Sequence, residues 1–563
     1  MEIQPRPERR FLKAFFACRS VEKPLCFHWI FKVLFALSGA AATLLFTQRG
    51  STGIGFIGVF CSLAICALIA FRYQALERAF VRVSPAKLLV AAVFALYAAY
   101  CYSGWYRASM SERILEKVGG VLHLSDTMYV FLEHWLSVGI AACALFALCT
   151  LFYVAIDRIL LDAGRRFRTA DKVEKRYFLI AGLAAAVLIA CVYSLTNAFT
   201  DAGIPYDVVY TADSGMLLRD NTFFNINAFQ NDIRQPLFGV FAMPFDIVAR
   251  LLSKVLFFVP NAYVILLGIL QAALLLFCFT VLARLLRLEG AKKALFLALV
   301  TVSYPTMLFL LTVEQYVFSL FWVILLVEAY CEDAPGRELK WVAATGSLLT
   351  SGALVFLLPY KKSFRSILIE LLKAGGLLLA FLAVFGQLPL LYSAVASVRE
   401  LMSFSGAGIG LGDKLLQFVN FVGACAVSPL ASVDTTSYQH VSYQLSPVGS
   451  INPIGVILLA FAAAGFALNR KSKLARVSFG WVMFSFVLLG LVGWGTAENG
   501  LVLYTLYFSW AYLVLAFLAL DALLKKWRTV QSVVLGGVAA AMLVFNAVNI
   551  LQIILFGIRY YPA

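Results

Sequence analysis

The chain has 563 residues, of which 62% are hydrophobic and only 13% charged, with a mean hydropathy of +0.88. A soluble domain of this length would show water far more charge, so the composition excludes one and places the chain in a bilayer. The formal charge of +16 is explained by basic anchors facing an anionic inner leaflet, with no nucleic-acid partner.

A hydrocarbon core about 30 Å thick takes roughly 20 apolar residues as a helix. The sequence supplies many such runs, not the alternating segments of an outer-membrane barrel. The eleven cysteines sit mostly inside these runs, with no CxxC pair for zinc, and read as small core residues. In chain order, Arg6, Arg9, Arg10, Lys13, Arg19 and Lys23 place the amino terminus inside. The first apolar run is too long for a signal-peptide core and is kept as a membrane helix. Spans are predicted near 28–47, 53–72, 87–103 and 129–153, followed by a cytoplasmic loop at 154–176 that holds Arg158, Arg165, Arg166, Arg168, Lys172, Lys175 and Arg176. A fifth span, near 177–197, must then emerge outside.

The loop at 198–235 carries Asp201, Asp207, Asp213, Asp220 and Asp232 against Arg219 and Arg234. It is acidic where the inner loops are basic, so both signals put it on the extracytoplasmic face. The segment after Arg234 is broken by Pro236, Pro244, Asp246, Arg250 and Lys254 and suits an amphipathic helix at the interface better than a crossing. Spans near 263–285, 294–312 and 316–331 follow, with Glu314 and Gln315 at an outer turn. Residues 341–358 lie between two basic ends, Arg337 and Lys340 before and Lys361, Lys362 and Arg365 after. Rich in Gly and Ser, they are read as a re-entrant or broken element, because irregular backbone at membrane depth survives only when buried in protein. A span near 374–392, a second outer loop at 393–450 and spans near 452–468, 475–493, 501–521 and 531–556 complete the chain. The predicted fold is an all-α polytopic membrane protein of about 13 transmembrane helices, carboxyl terminus outside. No Walker motif or Gly-rich phosphate loop lies in an aqueous segment, which argues against nucleotide hydrolysis.

Carboxylates held at a membrane surface beside amphipathic helices suit an enzyme with a lipid substrate. When a sugar leaves a lipid-linked phosphate, the departing group is already anionic, so a base matters more than an acid. Two segments carry a resemblance: Thr211-Ala212-Asp213-Ser214, and Arg234-Gln235-Pro236-Leu237-Phe238. A third is Glu498-Asn499 followed by Leu503-Tyr504-Thr505-Leu506-Tyr507-Phe508. At these residues the sequence resembles the GT-C superfamily of polytopic glycosyltransferases, in a bacterial branch that uses polyprenyl-phosphate-linked sugars. The likeness covers residues 177–521 and departs from the branch at Gln235 and Tyr507, where His is expected.

The resemblance implies a GT-C-like catalytic core at 177–563 in the inner (plasma) membrane; residues 1–176, which it does not cover, are read as an accessory four-helix module. It implies a polyprenyl-phosphate sugar donor and an envelope glycan, lipid or protein acceptor, with the site extracytoplasmic. Asp213 and Asp220 are the catalytic candidates, and the two together would hold a divalent cation, Mg or Mn. Arg234 and Gln235 are assigned to the donor phosphate; Glu314, Glu498, Asn499, Tyr504 and His440 to substrate. The bland reading of Asp213 is a helix cap. The accessory module would serve docking, as a homodimer or a complex. A transporter or flippase for lipid-linked sugar, with 341–358 at its binding site, is a second class; a non-catalytic envelope assembly subunit is a third. The topology predicts that, in a cysteine-free background, Asn221→Cys and Ala497→Cys react with an impermeant thiol reagent from outside and Thr169→Cys does not. Labelling of Asn221→Cys only after permeabilisation contradicts it.

Overall fold

A computed structural model describes residues 28–47, 60–70, 89–100 except 91, 94 and 98, 125–224 except 202 and 205, 234–359, 363–391 except 386 and 389, 405–435 except 407, 440–495 and 501–563. These residues are mostly helical and divide into two compact units. The first comprises Met1–Thr169, Asn227–Phe229 and Leu379–Pro389; the second comprises Ala170–Ile226, Gln230–Leu378 and Leu390–Ala563.

In the first unit α1, His28–Thr47, packs on α2, Asp126–Thr169. The Ser38 hydroxyl donates to the carbonyls of Cys143 and Ala144 across that contact, which satisfies a polar group that lipid could not. At 44 residues, α2 is about 66 Å long, twice a bilayer core. The basic segment expected as a loop from 154 is therefore helical through Arg168. Only a short break separates it from α3, Lys172–Leu195, which Asp171 caps by accepting from the Glu174 amide at 2.8 Å.

The second unit continues with α4 (Ser214–Arg219), α5 (Phe238–Val255), α6 (Ala262–Leu285), α7 (Gly290–Thr301), α8 (Tyr304–Leu311), α9 (Gln315–Cys331) and α10 (Arg337–Ser347). A 3₁₀ segment Leu349–Leu357, α11 (Phe364–Val384), whose residues from Leu379 belong to the first unit, and α12 (Leu411–Ala424) follow. Then come strands β1 (Ala431–Asp434) and β2 (Ser442–Leu445), α13 (Pro453–Asn469), α14 (Lys473–Ser485) with a π-helical continuation Phe486–Val492, α15 (Leu501–Leu523) and α16 (Arg528–Tyr560). Among the described residues six helices are long and apolar enough to cross a membrane, or seven if the pair α7–α8, bent by 62°, is one span. Thirteen crossings are not shown; α9 and α13, at 17 residues each, fall short of a full span by length. The second outer loop is also more structured than expected, because α12 buries Phe418, Phe421 and Val422 and is followed by the β1–β2 hairpin.

One end of this unit is stitched by ion pairs. Lys293 bridges Asp171 at 2.5 Å and Glu174 at 2.8 Å, and Arg284 meets Glu174 at 2.5 Å, joining α3, α6 and α7. Lys292 pairs with Asp521, and Asp333 takes both Arg337 and Lys473. By the same count of basic residues that places the amino terminus inside, the segments that hold these cations are expected to face the cytoplasm. At the opposite end the two outer loops meet. Val209 bridges Tyr443 in parallel, with Tyr210 donating its amide to Tyr443 and Tyr443 donating to Val208. The carbonyl of Tyr561, just past α16, accepts from the Asn197 amide and the Thr196 hydroxyl. At the α7–α8 bend, Asn546 of α16 donates to the Val302 and Ala426 carbonyls and accepts from the Ser428 amide, so broken backbone inside the bundle is paired.

Residues 341–358 are helix α10 to Ser347, an extended break at Leu348 (φ −154°, ψ 110°), then the 3₁₀ segment. The Arg337 guanidinium, at the start of α10, donates to the Leu357 carbonyl at the end of the 3₁₀ segment. Both legs therefore begin and finish together. Eleven helical residues reach only about 16 Å, half a bilayer core, so the element forms a hairpin with its tip at 346–349. Glu174 is 2% exposed and keeps Arg284 when Lys293 is removed, so the loss is that of one hydrogen bond to a buried charge, about 1.5–3 kcal/mol. Lys293→Met is expected to lower the detergent melting temperature clearly, whereas Arg165→Ala, at an exposed pair, leaves it unchanged; equal melting temperatures contradict a supporting role for the network.

Candidate functional site

The first turn of α9 organises the outer end. Glu314, its N-cap, is fully buried and accepts from the Gln315 amide at 3.1 Å through one oxygen and from the Asp213 amide at 2.7 Å through the other. Gln271 of α6 accepts from the Glu314 amide and donates to the Phe309 and Thr312 carbonyls, both at 2.7 Å. The Ser214 hydroxyl donates to the Val313 carbonyl at 2.8 Å. Residues 213–214 are thereby fastened to the α8–α9 joint by two separate polar contacts. Burial, reinforced by the nearby Asp213 charge, pushes the Glu314 carboxyl well above the usual carboxylate range.

Asp213 stands at the N-cap of α4 but makes no side-chain cap bond. That duty falls to Asp201, whose Oδ2 accepts from the Gly215 amide at 3.3 Å from outside the helix. The approach is close: a Cβ on Gly215 would lie 2.7 Å from the Asp201 Cβ, so only glycine fits. Asp201 is 4% exposed, and burial, with help from the charges of Asp207 and Asp213, pushes its carboxyl up to about 8. Burial raises Asp207 as well. The capping alternative for Asp213 is thus taken over by a carboxylate twelve residues upstream.

The remaining candidates fall as follows. Asp220 is the C-cap of α4, about 10 Å from Asp213 along the helix axis, with the Arg219 Nε at 3.3 Å. Asn221 beside it accepts from Arg250 at 2.9 Å, and Arg250 pairs with the fully buried Asp246 at 2.5 Å. The α5 helix buries Phe238, Phe241, Phe245 and Ala249 and exposes Val248, Leu251, Leu252 and Val255, the amphipathic pattern expected after Arg234. His440 stacks on Tyr206 with centroids 3.6 Å apart and places Nε2 3.2 Å from the Asp207 carbonyl.

Arg234 is half-buried and Gln235 buried; the Arg234 carbonyl accepts from the Leu349 amide at 2.7 Å, and the Leu237 amide donates to the Gly346 carbonyl at 2.8 Å. The segment 234–237 therefore clasps the tip of the α10 hairpin. Tyr504 packs edge-on to Tyr316 of α9, and its hydroxyl accepts from the Trp494 indole at 3.2 Å. Tyr507, where the resemblance expects His, is fully buried, stacked on Tyr316 and bonded to Thr350 at 3.3 Å. Glu498, Asn499 and Asp232 lie outside the described residues.

Asp213, Glu314, Tyr504 and the hairpin tip are thus brought to the first two turns of α9. Among the described residues no three His, Cys, Asp or Glu side chains group closely enough to hold a metal ion. No step is derived through such an ion. No protein-family model, curated protein or solved structure matches the chain.

The sequence reading missed Asp201 and Gln271. Neither carries a local signal, since each acts on a segment far along the chain. A carboxyl raised in the folded state favours the proton there, so its contribution is present at low pH and is lost as pH climbs from 3.8, the ordinary value, through about 8. The detergent melting temperature is expected to decline across that window, and Asp201→Asn to flatten the decline. Parallel curves for the two proteins contradict the assignment.

Proposed function

We propose that this membrane-embedded all-α protein is a glycosyltransferase of the GT-C type. In this reading it moves a sugar from a polyprenyl-phosphate donor to an envelope glycan, lipid or protein acceptor on the outer face of the plasma membrane. The observation that carries the reading is the state of Asp213. Its backbone is pinned by Glu314 and its helix is capped by Asp201, so neighbouring carboxylates fix where Asp213 stands in the acidic loop.

In the proposed reaction the acceptor hydroxyl attacks the anomeric carbon as the bond to the phosphate oxygen breaks. Asp213 takes the hydroxyl proton while the new C–O bond forms. The phosphate departs as an anion, and Arg234 is the cation assigned to it. Asp220, at the far end of α4, is assigned to orienting substrate, as are the buried Tyr504 and the half-buried His440. The buried Glu314 is reassigned from touching substrate to holding Asp213 in place. Gln235 can still offer a hydrogen bond where His is expected, but it cannot titrate near neutrality.

The hairpin at 337–357 favours a second reading, a flippase for the lipid-linked sugar, because broken elements at half depth are a device of transporters. Radiolabelled transfer by purified protein with a matched lipid-linked donor separates the two. Asp213→Asn keeps shape while removing charge and basicity, so transfer is expected to fall roughly 100-fold or more with melting temperature retained. Near-normal turnover in the folded variant rules out Asp213 as the base. Absence of transfer by the wild-type protein, with flipping intact, favours the second reading.

A further inference from the structure

The hairpin tip holds a concentration of buried polar atoms that the protein itself does not satisfy. Thr345 Oγ1, Ser347 Oγ and Ser351 Oγ have no hydrogen-bond partner, and neither does Gln315 Oε1 on the facing turn of α9. Each of these residues is at most 3% exposed. They lie close together. Ser319, one turn along α9 from Gln315, donates to both the Gln315 carbonyl and the Ser347 carbonyl. A Cβ on Gly352 would lie 3.2 Å from Thr345 Cγ2 and 3.7 Å from its Oγ1, so the two legs of the hairpin are close at this point.

Elsewhere among the described residues single buried hydroxyls, those of Thr312, Ser442 and Ser478, also lack a partner, but several comparable groups are paired. The Ser485 hydroxyl reaches the Val482 carbonyl and the Tyr512 hydroxyl, Ser303 and Thr306 reach the Val300 carbonyl, and Asn546 uses both ends of its amide. Serine and threonine in a helix readily bond a carbonyl one turn back. Leaving three of them idle within seven residues is a cost, and buried orphans of this kind call for a partner that the chain does not supply. The tip has no carboxylate of its own, and it is clasped through backbone bonds by the segment that begins with Arg234.

We propose that the tip of this re-entrant hairpin, with the hydroxyls of Thr345, Ser347 and Ser351, is a binding site for the phosphate of a membrane-embedded isoprenoid lipid. Hydroxyls donate to phosphate oxygens without adding charge at membrane depth, and Arg234, whose carbonyl is bonded to the Leu349 amide at the tip, is the cation assigned to neutralise the anion. A half-depth site suits a headgroup that enters from the bilayer rather than from water. The inference deepens the glycosyltransferase reading and rests on it for the identity of the isoprenoid.

The two roles of an idle hydroxyl predict opposite pairs of outcomes. Ser347→Ala and Ser351→Ala each delete an unpaired buried donor, so the variants are expected to melt at or above the wild-type temperature. At the same time each is expected to weaken binding of polyprenyl phosphate in nanodiscs about tenfold. Ser485→Ala, which removes a paired hydroxyl, is expected to melt lower and bind normally. Polyprenol without phosphate and phosphatidylglycerol are expected to bind poorly, and inorganic phosphate to compete only at high concentration; competition at low concentration would make the site one for free phosphate and overturn the lipid assignment. Unchanged polyprenyl phosphate binding in both serine variants overturns the site, while the same lipid bound normally by Asp213→Asn, which has lost transfer, keeps the parent reading intact. Failure of the wild-type protein to bind the lipid overturns both.

Discussion

One buried carboxylate fixes the geometry of the outer end. Glu314 caps α9 through its own oxygen and reaches across to the backbone of Asp213 with the other. Its position is set in turn by Gln271, whose amide also holds the two carbonyls that precede the helix. A single acidic side chain therefore ties the acidic loop, the α8–α9 joint and α6 into one body. A carboxylate with no counter-cation in contact can stay buried because two amides serve it, and because burial pushes it toward the protonated form.

The same requirement governs the rest of the bundle. In lipid, every break in a helix must find its hydrogen bonds inside the protein, and the bends here are served by specific side chains: Asn546 at the α7–α8 bend, Arg337 at the base of the hairpin, the Lys293–Glu174–Arg284 cluster where α3, α6 and α7 converge. The hairpin tip departs from this rule, and it lies against both the Arg234 segment and the first turns of α9. The unsatisfied polar groups gathered there are the ground on which the lipid-phosphate site is proposed.

Much of this was legible in the sequence because it depends on composition and on charge counted along the chain. Apolar runs announced helices, basic loops clustered at one end and acidic ones at the other, and two basic flanks around residues 341–358 pointed to an element that turns back. The amphipathic α5 followed from Pro236, Asp246 and Arg250. Other features escaped because they join residues far apart. The cap supplied by Asp201 to α4, the Gln271 clamp and the pairing of Val209 with Tyr443 have no signature in either partner alone. The helical course of residues 154–169 was missed because charge was taken to end a helix, whereas charge only ends its stay in the membrane. The α12 helix and the β hairpin lay hidden in a stretch too polar to read as a span.

The central claim is that the acidic loop pinned by Glu314 performs sugar transfer from a lipid-linked donor at one face of the membrane. It is tested most directly in proteoliposomes of defined orientation, with lipid-linked sugar in the bilayer and acceptor supplied on one side at a time. The account predicts transfer only when the acceptor is on the side that exposes residues 208–224, with no dependence on nucleotide sugar. Transfer with acceptor confined to the side of Arg284 and Lys293, or efficient transfer from a soluble nucleotide sugar without lipid, would contradict it.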